Sequence, residues 1–202
     1  MKNFLAEFPI FMEHISTLRD TSRDTSKGLL GGEIQYLTDA ETLVVNFDDV
    51  KTAYANGLGL SNSFACSIDA LAVMDGRLAF IEFKNGRHFQ NELRFKIQDS
   101  LLLFCDITKK FLDFTRGNID LYVVYGEKKE GLSKEEKEDN ARKCCFQDSE
   151  ARDEIWENLA ILSKEEIIKF GLKRFKWLYF HDVHTYTKDE FESVSARIIS
   201  CI

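Results

Sequence analysis

Residues 64–86 read FACSIDALAVMDGRLAFIEFKNG. Two apolar, β-prone runs flank Asp75-Gly76, and an Asp-Gly pair between such runs is among the strongest short-range signals for a two-residue β-hairpin loop. With that loop, Met74 faces Arg77, and the register carried outward sets Asp69 directly opposite Glu82. Directly opposed side chains share a face, their Cβ atoms about 4.5–5.5 Å apart. Lys84, two residues beyond Glu82, projects from the same face. Leu71, Val73, Leu78 and Phe80 complete that face, and Ala70, Ala72, Ala79, Ile81 and Phe83 line the other, so the pattern predicts a hairpin buried on both sides.

Two ionised carboxylates beside apolar surface repel each other and are costly unless a cation or a proton offsets them. Lys84 neutralises only one. A hard divalent cation such as Mg²⁺ suits the pair, because it binds carboxylate oxygens and keeps several waters for a substrate or nucleophile. Such an ion activates water and polarises a phosphoryl oxygen, and a neighbouring ammonium orients the water or balances charge in the transition state. That is the chemistry of phosphodiester hydrolysis. The competing assignment makes Glu82 and Lys84 edge charges that keep a strand end in water, with Asp69 capping a turn. Against it stands the confinement of both strand charges to one end and one face of an otherwise apolar run.

Asp69, a hairpin, then Glu82-Phe83-Lys84 and a long helix resemble the PD-(D/E)XK nuclease superfamily. The resemblance covers roughly residues 40–126 and implies a restriction-endonuclease-like α/β core, a mixed β-sheet flanked by helices. It implies Mg²⁺, with Mn²⁺ able to substitute, held by Asp69 and Glu82 with the Phe83 carbonyl, and Lys84 positioning the attacking water. In many relatives the helix after the Glu-X-Lys strand supplies a lysine or glutamine, and Lys96 and Gln98 stand where these would be sought; Gln98 completes the catalytic set. Ile68 stands where the motif's name has proline, and no glutamate on a preceding helix offers itself as a further ligand. Asp48 and Asp49 are the nearest acids there; both fit helix capping, and Asp49 is carried as a third candidate metal ligand. The partner implied is nucleic acid, DNA favoured over RNA. The alternative is a catalytically inactive nuclease-fold module, for binding or assembly, of a mobile element or defence system.

With 202 residues, 44% hydrophobic and 30% charged, the chain has the composition of one globular domain. No apolar run approaches the roughly 20 residues needed to span a bilayer, and no signal-peptide pattern opens the sequence, which predicts a cytoplasmic protein without a membrane partner. Five cysteines lack zinc-site or Cys-X-X-Cys spacing, so reduced thiols are expected, with Cys66 and Cys105 in the core. The net charge of −7 argues against coating nucleic acid by charge alone. Yet residues 84–116 carry seven basic against four acidic side chains, and residues 169–176 add Lys169, Lys173, Arg174 and Lys176 without an acid. The default reading of these stretches is a solvated surface of mixed charge, and the alternative is a local basic track.

Around the core, Phe4, Phe8, Phe11, Ile15 and Leu18 recur at helical spacing and predict a helix over 3–18, packed on the domain or serving as a homodimer seam. Residues 19–33 read as a loop, 42–47 as a strand, and 48–55 as a short helix ended by Asn56-Gly57. Apolar positions from Leu93 to Phe114 predict one helix over 91–114, followed by a strand over 119–125. A charged insertion spans about 127–150, with a capping box at Ser133 and Glu136, and an α+β extension occupies 151–202. In that extension the pattern predicts helices near 155–166, a strand over 175–180 and a helix capped by Thr187 bearing Phe191, Val194 and Ile198. The His181-Asp182-Val183-His184 spacing is read as surface or turn rather than metal-binding. The sequence lacks a Gly-rich phosphate loop ending in Lys-Ser/Thr and a Gly-X-Ser-X-Gly elbow.

Overall fold

In the computed structural model, residues 1–24, 35–61, 63–84, 90–126 and 168–199 are described. The hairpin forms where the sequence places it: β5 (Ala70–Met74) pairs antiparallel with β6 (Arg77–Lys84) in the register Met74↔Arg77 through Ala70↔Ile81. Asp75 and Gly76 both take positive φ, 49° and 81°, as a type I′ loop requires.

This hairpin is the centre of a mixed sheet. On one side lie β4 (Leu43–Asn46) and β1 (Ile15–Thr17), antiparallel throughout; on the other, β7 (Ile119–Tyr125) and β8 (Asp182–Thr187) run parallel to β6. The order is β1-β4-β5-β6-β7-β8, and β9 (Ile198–Ile199) adds a short seventh strand against Val73 and Met74 of β5. A separate two-residue ribbon joins β2 (Arg23–Asp24) to β3 (Gln35–Tyr36).

Both sheet faces are covered, as the near-continuous apolar strands demand. One face packs Leu71, Val73, Leu78, Phe80, Leu121 and Val123 under α1 (Lys2–Ala6), α2 (Pro9–Met12), α4 (Phe47–Gly57), α5 (Gln90–Thr108) and the 3₁₀ turn Leu172–Phe175. Phenylalanines dominate it. The Phe104 ring lies 5.6 Å from Phe80 and 6.2 Å from both Phe4 and Phe11, centroid to centroid. The other face buries Ala70, Ala72, Ile81 and Phe83 with Leu18 of α3 (Leu18–Thr21) and Phe191 of α7 (Lys188–Ser195). Helix α6 (Leu112–Asn118), which leads into β7, packs Leu112 and Phe114 against the first of these faces.

Several expectations are corrected. The helix expected over 3–18 is broken into α1, α2, β1 and α3: Phe8 is extended ahead of Pro9, which starts α2 without a backbone N–H, and Ile15–Thr17 pairs with β4. Its phenylalanines do pack on the domain, one of the two roles expected of them: Phe11 lies in the core, and Phe4 and Phe8 pack against it. The helix expected over 91–114 ends at Thr108, because Lys109 turns left-handed at φ 55°, and a new helix starts after Phe111. The alternation at 175–180 is a tight turn with Trp177 at φ 67°, and the strand is Asp182–Thr187 instead. The α4 helix runs through Gly57, and the left-handed glycine is Gly59. Cys66 is exposed and Cys105 half-buried. Ile198 belongs to β9, but the Thr187/Glu190 capping box on α7 is present. The charged insertion and the helices expected near 155–166 lie outside the described residues.

Candidate active site

The ladder of the hairpin stops at Ala70↔Ile81, one step short of Asp69 and Glu82. There the Asp69 side chain replaces a backbone partner: Oδ2 accepts the Phe83 N–H at 2.6 Å, while the Asp69 carbonyl accepts the Phe47 N–H at 3.1 Å. Asp69 is thereby fixed beside Glu82 where strands β5 and β6 part.

Helix α5 supplies the other half. Leu93, Ile97, Leu101 and Phe104 form its apolar stripe, and at about 100° per residue Glu92, Lys96 and Ser100 fall together on the flank facing β5. Lys96 Nζ stands 2.8 Å from Glu82 Oε1 and 3.4 Å from Asp69 Oδ1, bridging the two carboxylates. Lys84 Nζ lies 3.3 Å from Glu82 Oε1 and 2.7 Å from Glu92 Oε1. Ser100 Oγ accepts the Ile68 N–H and Asp99 Oδ2 accepts the Cys66 N–H, both at 2.8 Å, so α5 also grips the segment that enters Asp69.

Burial sets the electrostatics. The Glu82 side chain is wholly inaccessible, and those of Lys84, Asp69 and Lys96 are 12%, 14% and 18% exposed. Burial first, then the charge of Asp69, raises the Glu82 pKa to about 8. Burial likewise raises Asp69 to about 6, with Lys96 and the Phe83 N–H opposing the rise. Burial works against the Lys96 charge, but Glu82 and Asp69 outweigh it and raise its pKa. The hydrogen bond from Lys84 holds Glu92 low.

The candidates separate accordingly. Asp69, Glu82 and Lys84 come together. Asp49 does not join them: its carboxylate takes the Asn46 amide at 2.8 Å and its N–H completes the Asn46 cap of α4. The acid whose charge reaches Asp69 is its neighbour Asp48, which accepts from Ser67 Oγ. Gln98 lies about 200° around α5 from Lys96 and belongs to another flank. Lys96 is the helix's contribution. Glu92 and Ser100 escaped the sequence reading, although their four-residue spacing around Lys96 beside the apolar stripe was a usable signal. His181 and His184 are three positions apart and engage different partners: His181 Nδ1 is 2.9 Å from buried Asp120, and His184 stacks on Tyr122 at 4.6 Å.

Among the described residues no group of three or more His, Cys, Asp or Glu side chains is placed to hold a metal ion. Mg²⁺, however, commonly takes only one or two carboxylates and keeps its waters. Among the described residues Glu82 Oε2 is buried without a hydrogen-bond partner, a hard oxygen in a carboxylate on which the charge of Asp69 also acts. The donor set therefore fits such an ion. No helix among the described residues is long and apolar enough to cross a membrane.

No family model matches the chain, and no curated protein or solved structure matches it significantly. The class that fold and site define is thus an α/β protein with a mixed sheet flanked by helices, carrying a buried carboxylate pair bridged by lysine.

Proposed function

We propose that this protein is a metal-dependent nuclease of the PD-(D/E)XK type, hydrolysing phosphodiester bonds in nucleic acid, DNA before RNA. The observation that carries the reading is the orphaned Glu82 Oε2 opposite Asp69 at the open end of the hairpin. Asp69 and Glu82 would hold Mg²⁺, or Mn²⁺ in its place. Bound there, the ion would supply Lewis acidity toward a phosphoryl oxygen and a more acidic water.

The chain's own groups have separate tasks in this reading. Asp69 keeps its orientation through the Phe83 N–H. Glu92 anchors Lys84 from the far side, so that the Lys84 ammonium stays at the rim of the pair, where it can orient a water or receive developing negative charge. Lys96 balances the buried negative charge.

Purified protein should cleave generic DNA in Mg²⁺, and Lys84→Ala should lower the rate by roughly 10²-fold or more in a protein that still unfolds cooperatively. Equal cleavage by the variant and the wild type would defeat the assignment. The bridging Lys96 also supports a second reading, a binding or assembly module whose acids are neutralised internally. Calorimetric titration separates them: no heat at millimolar Mg²⁺ or Mn²⁺ favours the module.

A further inference from the structure

The two basic stretches of the sequence meet at Arg94, on the flank of α5 away from Lys96. Its outer guanidinium nitrogen Nη2 lies 3.4 Å from where a side chain on Gly171 would begin, and Gly171, left-handed at φ 64°, starts the turn that presents Arg174. Arg94 Nε is shut off from water and has no acceptor among the described residues. Arg174 is exposed, its guanidinium 5.3 Å from the Phe175 ring. Among the described residues neither arginine has an acidic partner.

Two cations held together, one partly desolvated, oppose folding. Burial first, then the Arg174 charge, lowers the Arg94 pKa. Among the described residues no acceptor or acid offsets that cost. An arginine fork is matched to the paired oxygens of a phosphate group, and the parallel strands β6, β7 and β8 direct their carboxyl ends, where ligands of open α/β sheets gather, toward the beginning of α5.

We propose that Arg94 and Arg174 form a binding site for a phosphate oxyanion, filled in the working protein by the backbone of the nucleic acid strand. The source of the phosphate rests on the nuclease reading; the anion site itself does not. A strand crossing the start of α5 would place one phosphate at the arginines and another near Asp69 and Glu82.

The test uses the full chain in EDTA, where cleavage is silent. A labelled DNA oligonucleotide is titrated against wild type, Arg94→Gln, Arg174→Gln, the double variant and Asp69→Asn over a range of salt. Each arginine variant should lower the slope of log affinity against log salt by about 0.7–0.9 and weaken binding roughly several-fold at moderate salt. In parallel, orthophosphate should raise the melting temperature of wild type but not of the double variant. Arg174 is exposed, so Arg174→Gln alone decides the matter if the Arg94 variants do not fold. Arginine-dependent stabilisation by orthophosphate without DNA binding keeps the anion site, assigns it to free phosphate and removes the strand. In a parallel assay with Mg²⁺ replacing EDTA, cleavage by wild type that is lost in Asp69→Asn, alongside arginine variants that keep wild-type slope and phosphate response, overturns the site and leaves the nuclease reading standing. A wild type indifferent to both probes also overturns it.

Discussion

Raising the pH should destabilise the metal-free protein, and Glu82 should be the main cause. A carboxyl whose folded pKa lies above its unfolded value keeps its proton longer in the folded chain. Its stabilising contribution is complete below the unfolded value and is lost as the pH climbs through the folded one. Asp69 rises from 3.8 to about 6 and Glu82 from 4.5 to about 8, so the window runs from about pH 4 to about pH 8. At about 1.4 kcal/mol per pK unit these shifts amount to several kcal/mol. Charges inside proteins interact as in a medium of effective dielectric near 20 rather than a dry interior, which brings the expected change to a value on the order of 2 kcal/mol. In a chain of this size that is roughly 4–8 °C in melting temperature. The assay is a series of thermal and urea melts in EDTA from pH 5 to 8.5 on wild type and Glu82→Gln. Because the whole chain, at net charge −7, also gains negative charge with pH, the difference between the two proteins is the observable. Glu82→Gln should lose most of the slope, and saturating Mg²⁺ should cancel it in wild type. A wild-type profile that rises across this window, or an equal slope in both proteins, would refute the reasoning.

Other perturbations are simpler. Asp69→Asn keeps an acceptor for the Phe83 N–H while removing the charge, so calorimetry should show Mg²⁺ binding lost in a protein that still melts cooperatively. Lys96→Ala should impair cleavage far more than Gln98→Ala, which single-turnover assays would rank directly. Phe104→Ala empties the centre of a fully buried ring cluster and should cost about 3–5 kcal/mol in urea melts. Thr187→Ala breaks the capping box of α7 and should cost about 1 kcal/mol.

The hairpin and its register were legible because local rules govern them: Asp75-Gly76 fixes the loop, and a period of two fixes which side chains meet. Strand β7 was legible as a short β-prone run, apolar apart from Asp120. The N-terminal segment misled because a helical period cannot show that Ile15–Thr17 finds an edge of β4 to pair with. Phe175, Trp177 and Tyr179 misled by alternating like a strand while the backbone turned at Trp177. At the site, opposed acids could be read from the register, but the choice of Lys96 over Gln98 depended on the rotation of α5, which its apolar stripe specifies once the stripe is known to face the sheet. Asp48 and Asp49 are adjacent and both acidic, so only the Asn46 cap, a three-dimensional fact, tells them apart.

Strand β5 shares its outer edge between β4, at Ala70 and Leu71, and β9, at Val73 and Met74. The second half of that edge is supplied by residues more than a hundred positions later. On the ribosome, the nascent hairpin must therefore wait with unpaired backbone beside apolar side chains until Ile198 and Ile199 emerge, the kind of open strand edge that recruits neighbouring chains. Slow completion of this edge, rather than formation of the Asp-Gly loop, would then set how long the newborn chain is exposed to aggregation.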